Sequence, residues 1–593
     1  MSRSLPRDPG SLPAHSPAAT RRHTWRRRLL WLGAGLIGVV LLAWAVMLAL
    51  MYHWVAREPV LASPPAIVSL KPETRGDRVY LGRNWLGHRE GLPILYLTGT
   101  PFEIGYANGV LTQKQIHQQE DSVVTLLNHV APYRWIRFTL EFFVTCKNRH
   151  VMENITPDLQ MELLGLARGC PDTHPELGPL YNRIVNYHAA QDISYMLMNS
   201  PLIRHGCTAF GAWGEATTDN HLLCGRNFDW EADPVFDEDR LLIFCEPTNG
   251  IAFASLAWAG MAGVVSGLNR AGVSITVNGA PSNLPADGAT PTCLVAREVL
   301  EHAHNLAEAV AIIRRRHTFV SAMFLVGSRA DGKFIVVEKT PDDFAVREPD
   351  ATNDTLVCAN HYLTPEFKDT SLNETYKRAD TSVSRFNRLT ELLRGETNRL
   401  DASACVGLLR DRRLPGGQFA GNGHRGALNP LIATHAVVMD LTAGILWAAT
   451  PPHQLGRFVA FDLADPEKAL PGLAVPEDAL LAGGGNSEYA KYLAAKAKLS
   501  EGFRALKQGE PGRALECAHA AAMDNPGYYI NDWLEGESLW QQGKFAEAAA
   551  ACGRALDGKP ALGGERRRIE QLLKEAEAHG AAKPKAKLED GKN

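Results

Sequence analysis

The sequence predicts an α+β protein with an apolar helix near its N-terminus and a helical tail near its C-terminus. Three observations support this class. Between residues 207 and 462, short apolar stretches alternate with turn signals, and amphipathic helical stretches lie between them. A long apolar run follows an arginine-rich start, and small residues recur at a spacing of 34 towards the end of the chain.

Composition limits the classes of protein that this chain can be. Its 593 residues are 45% hydrophobic and 21% charged, as in ordinary globular proteins, so two to four folded domains are expected. A net charge of −3 and the lack of a basic stripe argue against a nucleic-acid partner. The ten cysteines show no C-x-x-C spacing, so the sequence supports neither a zinc site nor a thioredoxin-like motif, and no metal or organic cofactor is implied.

The N-terminal segment has the pattern of a membrane anchor. Residues 1–28 form a basic tail with seven arginines and one acid, and residues 29–54 carry no charge. This run exceeds the roughly 20 apolar residues that cross a bilayer, and the preceding arginines predict a cytoplasmic N-terminus with the body on the exported (periplasmic or extracellular) side. A cleaved signal peptide ending near Leu61–Ser63 is the alternative, although its apolar region is usually shorter. A proline-rich linker is predicted over 57–77.

Periodicity predicts the elements that follow the linker. The segment 78–206 has a mixed pattern and is expected to open with one short strand and continue with helices, whereas residues 207–470 are expected to be rich in strands. The clearest elements are a strand over Leu92–Thr98, helices over Gln113–His129 and Pro157–Arg168, and a hairpin turn at Asp331–Gly332.

The C-terminal part repeats at the tetratricopeptide period. The pairs 34 residues apart are Gly502 and Gly536, Gly509 and Gly543, Ala514 and Ala548, Ala521 and Ala555, and Pro526 and Pro560. The region 496–562 therefore resembles two tetratricopeptide repeats, with a chance match between alanine-rich helices as the alternative. Two repeats are fewer than the three or so needed for stability alone, so we expect them to pack on the body or on a further helix. Residues 579–593 are predicted to be disordered.

Cys207 is the leading candidate for chemistry. Gly206 precedes it at the point where the helical half of the chain meets the strand-rich half. A cut between the two would give Cys207 a free α-amine, whose pKa is ordinarily about 7.7–8.0. That amine could accept the proton of its own thiol, so nucleophile and base would belong to one residue.

The surroundings of Cys207 resemble the penicillin acyltransferase family of N-terminal-nucleophile proteins (peptidase family C45), relatives of choloylglycine hydrolase and acid ceramidase. The resemblance rests on the run Gly206-Cys207-Thr208, on Gly225–Asp229 (Gly-Arg-Asn-Phe-Asp) and on the glycine-rich stretch Gly99–Gly109. It covers roughly residues 78–462. It implies a four-layer αββα core and self-cleavage between Gly206 and Cys207.

The resemblance also implies roles for individual residues. Cys207 would be the nucleophile for self-cleavage and for substrate, and Asp229 would hold its α-amine. The remaining positions would be Arg226 orienting the thiolate, Asn278 donating to an oxyanion, Asn360 as a second polar position, and Arg385 as an accessory group without a fixed role. Alternatively, Arg226 and Asp229 form a structural ion pair, and Asn278 and Asn360 are simply residues of turns.

The expected activity is cleavage or transfer of an acyl group at a linear amide C–N bond through a Cys207 thioester. A small acyl amide or a lipid amide would be the substrate. One alternative is a non-enzymatic, membrane-anchored scaffold whose repeats bind a protein partner. A lipase-like esterase is a weaker alternative, because Gly263–Gly267 has the wrong spacing for a Gly-x-Ser-x-Gly elbow.

Overall fold

The computed structural model describes residues 17–55, 57–195, 205–231, 233–282, 288–350, 353–395 and 399–581. Residues 1–16 of the predicted basic tail and 582–593 of the predicted disordered tail lie outside the described residues. The α-helices are α1 (Pro17–Trp54), α2 (Pro101–Leu111), α3 (Gln113–Val130), α4 (Arg134–Asn148), α5 (Val151–Asn154), α6 (Pro157–Gly169), α7 (Leu180–Tyr195), α8 (Val235–Glu238), α9 (Thr292–His302), α10 (Leu306–Arg315), α11 (Ser371–Ala379), α12 (Ser382–Gly395), α13 (Ala402–Leu409), α14 (Glu488–Lys507), α15 (Pro511–Asp524), α16 (Tyr529–Gln541), α17 (Phe545–Asp557) and α18 (Gly563–Ala581).

The strands are β1 (Glu73–Arg75), β2 (Arg78–Leu81), β3 (Asn84–Arg89), β4 (Leu92–Gly99), β5 (His205–Ala212), β6 (Leu223–Trp230), β7 (Leu241–Pro247), β8 (Phe253–Ala257), β9 (Ser266–Asn269), β10 (Val273–Gly279), β11 (Ala322–Ser328), β12 (Lys333–Lys339), β13 (Phe344–Arg347), β14 (Thr355–Cys358), β15 (Ala433–Asp440), β16 (Ile445–Ala449) and β17 (Phe458–Asp462). They form two sheets. The larger has the order β1-β2-β3-β4-β7-β8-β9-β10-β11-β12-β13, and the smaller has the order β14-β5-β6-β15-β16-β17.

One parallel pair joins the two halves of the chain. Among the described strands, neighbours are antiparallel except that β4 and β7 run parallel and pair from Ile94–Leu242 to Gly99–Pro247. Strands β1 to β4 precede Cys207 and β7 to β13 follow it. The segment before the predicted cut is therefore part of the same sheet as the segment after it.

The core consists of three apolar layers. Side chains of β11 and β12 meet those of β6 and β15 between the two sheets. Helices α2, α6 and α9 cover the outer face of the larger sheet, and α12 and α13 cover the outer face of the smaller one. The layers follow in the order helices, sheet, sheet, helices, and the predicted α+β class is confirmed.

The strongest periodic signals correspond to observed elements. The predicted strand at Leu92–Thr98 is β4, the two predicted helices are α3 and α6, and Asp331–Gly332 closes the β11–β12 hairpin. The predicted linker 57–77 is structured in part, since Glu73–Arg75 forms β1 and pairs with β2. Gly76, at a φ of +62°, makes the tight turn between these two strands.

Helix α1 contains a candidate membrane span over Leu30–Trp54, by length and composition. Its apolar side chains are mostly exposed, and it contacts the body through α4. The rings of Trp44 and Phe138 stack with centroids 4.2 Å apart, and Trp54 lies 6.2 Å from Phe142. Both a membrane anchor and a signal sequence have such an apolar helix.

The C-terminal tail is helical, as predicted, and longer than the predicted repeats. It comprises α14 to α18, so helices extend beyond both ends of 496–562 and past residue 579. Gly502 and Gly536 lie at contacts between helices of the tail. A Cβ on Gly502 would come within 2.5 Å of Leu534, and one on Gly536 within 2.9 Å of Cys552. The tetratricopeptide assignment stays a prediction.

Candidate active site

Strand pairing brings the predicted site residues of β5 and β6 together. Cys207 lies in β5 and is 1% exposed. The antiparallel register places Gly206 opposite Asp229 and Cys207 opposite Phe228. The two strands meet although Asp229 follows Cys207 by 22 positions, because residues 213–222 make the return connection.

A buried arginine contacts the thiol. Nη2 of Arg226 lies 3.5 Å from Sγ of Cys207 and donates to the carbonyl of Val277 at 2.6 Å. Nη1 donates to the carbonyl of Val265 at 3.1 Å and to Nε2 of His435 at 2.9 Å. These acceptors hold the guanidinium in place beside the sulfur.

The backbone of Cys207 is held by two of the other predicted residues. Its N–H donates to Oδ1 of Asn360 at 2.8 Å, and its carbonyl accepts from Nη1 of Arg385 at 2.5 Å. Nη2 of Arg385 also donates to Oδ1 of Asn360 at 2.8 Å, and Nδ2 of Asn360 donates to the carbonyl of Gly279. The Asn360 amide is thereby oriented with its oxygen towards the nitrogen of Cys207.

Asp229 carries a buried carboxylate without a hydrogen-bond partner among the described residues. Burial raises its pKa to about 6, and the positive charges of Arg385, Arg425 and Arg226 oppose that rise. The carboxylate faces the predicted cut, because a Cβ built on Gly206 would lie 3.5 Å from Oδ2.

Arg226 and Asp229 point to opposite faces of β6, since residues three apart on a strand do not share a face. Arg226 contacts carbonyls of the larger sheet, whereas the charge with the largest effect on Asp229 is that of Arg385 on α12. Both residues lie in the described part of the chain, and no ion pair joins them there, so the alternative of a structural pair is wrong.

Asn278 lies at the end of β10 and makes its hydrogen bonds away from Cys207. Its Nδ2 donates to the carbonyls of Cys358 and Ala359, at 3.2 and 3.0 Å. Both amide hydrogens are therefore engaged in the uncut chain. An oxyanion role for Asn278 stays a prediction and requires one of these bonds to be released.

Sequence reasoning missed several groups that organise the site. His435 and Ser266 contact Nη1 of Arg226, and Ser382 accepts from the N–H of Asn360 at 2.7 Å. Burial and the neighbouring guanidinium hold the pKa of His435 well below its usual value, so its neutral ring can accept from Arg226. The sequence singles out none of the three as a site residue. Strands β15 and β9 bring His435 and Ser266 to Arg226, and α12 brings Ser382 to Asn360.

The assembled groups suit acyl chemistry at a thiol. They comprise a thiol, two guanidiniums, a carboxylate and two carboxamides. Within the described residues, no group of three or more His, Cys, Asp or Glu side chains could hold a metal ion. The groups that surround Cys207 can stabilise a thiolate and fix the backbone on its carbonyl side.

A part of the chain that contains most of these residues is similar to a known protein family. Residues 216–418 match the family model "Acyl-coenzyme A:6-aminopenicillanic acid acyl-transferase". This part of the chain is therefore similar to the penicillin acyltransferase family. The matched range includes Arg226, Asp229, Asn278, Asn360 and Arg385, and it begins after Cys207.

Relatives that match a larger part of the chain are distant. An uncharacterized protein of Archaeoglobus fulgidus is 25% identical over 394 residues, which cover 60% of this chain and 63% of that protein. Protein dcd1B of Dictyostelium discoideum is 25% identical over 268 residues, covering 42% of this chain and 50% of that protein. The chain thus matches less than two thirds of the length of these relatives.

Two solved structures show a limited likeness to this chain. The Caenorhabditis elegans N-acylethanolamine-hydrolyzing acid amidase ortholog is 18% identical with a TM-score of 0.29, covering 40% of this chain and 93% of that one. A mutant of conjugated bile acid hydrolase from Clostridium perfringens is 16% identical with a TM-score of 0.30, covering 44% and 96% respectively.

Proposed function

We propose that this protein is a self-processing cysteine enzyme of the N-terminal-nucleophile class that cleaves or transfers an acyl group at an amide C–N bond. The mature nucleophile is Cys207, freed by a cut after Gly206. Residues 78–206 form the N-terminal portion and residues 207–470 the catalytic portion. Support comes from the acyltransferase-like domain over 216–418 together with the contacts around Cys207.

One observation carries the proposal. The unpartnered, buried carboxylate of Asp229 faces the Gly206–Cys207 bond, in a site where Asn360 already accepts from the nitrogen of Cys207. A buried carboxylate without a partner costs free energy, and such an arrangement is retained where a group of opposite charge is to be received. The α-ammonium that the cut creates is such a group.

Self-processing proceeds in two balanced steps. Sγ of Cys207 attacks the carbonyl carbon of Gly206, and the C–N bond breaks as the leaving nitrogen takes the thiol proton. This forms a thioester between Gly206 and Cys207. Water then hydrolyses the thioester, which gives the carboxylate of Gly206 and restores the thiol beside a free α-amine.

Turnover uses the same residue again. The α-amine accepts the thiol proton, and the thiolate attacks the carbonyl of an amide substrate while Arg226 lies against the sulfur. The amine product leaves with that proton, and water or another amine resolves the thioester. Asp229 and Asn360 hold the α-amine in place, and Asn278 becomes an oxyanion donor if it releases one carbonyl.

A lipid amide or another small acyl amide fits the location that we propose. The stacking of Trp44 on Phe138 gives α1 a partner on the body, which supports retention of α1 as an anchor. The basic residues before α1 favour a cytoplasmic N-terminus and an exported body. Substrate would then reach the site from the membrane or from the exported compartment.

The test compares intact masses of purified wild type, Cys207→Ala and Cys224→Ala. Cys224 is a matched control, because it is a buried cysteine of β6 that pairs with Gly211, away from the cut. Wild type and Cys224→Ala are expected to give two fragments, the first ending at Gly206, while Cys207→Ala stays whole. A wild-type chain that stays whole after prolonged incubation contradicts the proposal.

A further inference from the structure

The helical tail holds one loop of the catalytic body from two equivalent positions. We call residues 421–426, between α13 and β15, the clasp loop. The N–H of Asn422 donates to Oδ1 of Asn525, and Nδ2 of Asn525 donates back to the carbonyl of Asn422, both at 2.8 Å. Nε2 of His424 lies 2.9 Å from the carbonyl of Lys559. Asn525 and Lys559 are 34 residues apart, so each repeat supplies one contact.

The clasp loop lies directly against the tail. Gly421 and Gly423 have φ values of +83° and +81°, where side chains are disfavoured. A Cβ on Gly421 would come within 2.7 Å of Tyr528, and one on Gly423 within 2.5 Å of the Tyr492 ring. Glycine at both positions permits this close approach of backbone to tail.

The other side of the clasp loop is bonded to the two elements that carry the site. Nη1 of Arg425 donates to Glu231, which lies two residues beyond Asp229, at 2.8 Å. The carbonyl of Gly426 accepts from Ser384, the neighbour of Arg385, at 2.8 Å. The clasp loop therefore links the tail to β6 and to α12.

We propose that the helical tail is a positioning element of the active site, which fixes Arg425 near Asp229 by holding the clasp loop. The partner of the repeats is then the catalytic body of the same chain. This proposal rests on the proposed function, because it concerns the carboxylate that receives the α-ammonium of Cys207.

Electrostatics give the proposal a specific signature. The charges that act on Asp229 are those of Arg385, Arg425 and Arg226. Asp380 lies 3.7 Å from Arg385, Glu231 lies 2.8 Å from Arg425, and Cys207 is on the adjacent strand. Burial raises the pKa of Asp229 to about 6, and Arg425 opposes that rise. When Arg425 is lost or displaced, the carboxyl stays protonated to a higher pH and stabilises less well the nitrogen of Cys207 as this nitrogen takes up the thiol proton during cleavage.

The experiment follows cleavage after Gly206 in the full chain from pH 5 to pH 8. Arg425→Gln removes the charge, Asn525→Ala removes the reciprocal amide bonds, and Gly421→Ala separates the clasp loop from Tyr528 with the tail side chains intact. In a plot of cleavage rate against pH, all three are expected to move the midpoint of the fall in rate at acid pH to a higher pH. Cleavage should slow several-fold near pH 6 and approach the wild-type rate at pH 8.

Two variants control for folding. Arg425→Lys retains the charge and is expected to restore the wild-type midpoint. Gln542→Ala removes a tail amide that donates to the carbonyl of Pro511 at 3.2 Å, away from the clasp loop, and is expected to leave the midpoint unchanged. An equal slowing of Asn525→Ala at every pH, with no midpoint shift, would mark a merely structural effect and overturn the proposal.

The two proposals fail in different ways. If wild type is cleaved and the three variants share its midpoint, the positioning role of the tail is refuted and the self-processing function stands. If wild type is not cleaved at all, the proposed function is refuted and the positioning role is refuted with it.

Discussion

Asp229 should destabilise the uncut chain in a pH-dependent manner. The perturbation is Asp229→Asn in the Cys207→Ala background, where no α-ammonium can form. The gap between a pKa of about 6 and the usual 3.8 corresponds to roughly 3 kcal/mol, at about 1.4 kcal/mol per pH unit. Because the folded-state pKa is raised, the stability from the protonated carboxyl is full below pH 3.8 and is lost as pH rises through about 6.

Asparagine at position 229 has nearly the same shape as aspartate but does not titrate, so it removes this pH dependence of the free energy of unfolding. The free energy of unfolding of Cys207→Ala/Asp229→Asn, minus that of Cys207→Ala, should therefore grow by roughly 3 kcal/mol from acid to pH 8, with about half of the rise above pH 5. Denaturant titration at a series of pH values measures this difference. The buried carboxyl of Asp192, whose pKa burial raises to about 7, is common to both chains and cancels.

The exposed carboxylate of Asp369 provides a matched control. Asp369→Asn in the same Cys207→Ala background should leave the pH dependence of unfolding unchanged. A difference for Asp229→Asn that stays constant between pH 4 and pH 8 would refute the reasoning, because Asp229 would then have a partner in the uncut chain.

Three further predictions concern the thiol and the assembled halves. Arg226→Gln should lower the rate at which iodoacetamide alkylates Cys207 about tenfold or more, because the sulfur loses its adjacent cation. Mass spectrometry of the alkylated protein measures this rate. His435→Phe keeps a ring but removes one hydrogen-bond acceptor of the buried Arg226 guanidinium, so the free energy of unfolding should fall by about 1–3 kcal/mol and alkylation should slow, with partial recovery in His435→Gln. The two fragments of cleaved protein should co-elute on gel filtration without denaturant, because the β4–β7 pairing and the buried Glu162–Arg297 ion pair join them.

The sequence was most informative where structure is local. The hairpin at Asp331–Gly332 and the helix over Pro157–Arg168 carry their own periodicity and turn signals, and both are observed. The order of strands in the larger sheet has no such signal, since β4 pairs in parallel with β7 across more than 140 residues. The short hairpin of β1 and β2 was missed because its proline-rich surroundings resemble a linker.

Part of the candidate site could be predicted because it consists of residues that are close together in the sequence. Gly206–Cys207 and the run ending at Asp229 are compact motifs, and strand pairing places them together. The contacts of Arg385 with the carbonyl of Cys207 and with Asn360 could not be predicted, because α12 reaches β5 through the fold alone. The engagement of Asn278 by two carbonyls was equally hidden, since side-chain bonds to distant backbone leave no sequence pattern.

The charged groups around Gly206 indicate that a cut after this residue would stabilise the folded protein, because the buried carboxylate of Asp229 would gain a partner. A Cβ on Gly206 would lie 3.4 Å from Cζ of Arg385 and 3.5 Å from Oδ2 of Asp229, so a cation and an anion both approach this residue. Cleavage creates one carboxylate, on Gly206, and one ammonium, on Cys207. Each new charge then has a counter-charge within reach, and ionised Asp229 changes from a destabilising group to a stabilising one. The cut chain should therefore be more stable above pH 6 than Cys207→Ala, and this difference opposes religation.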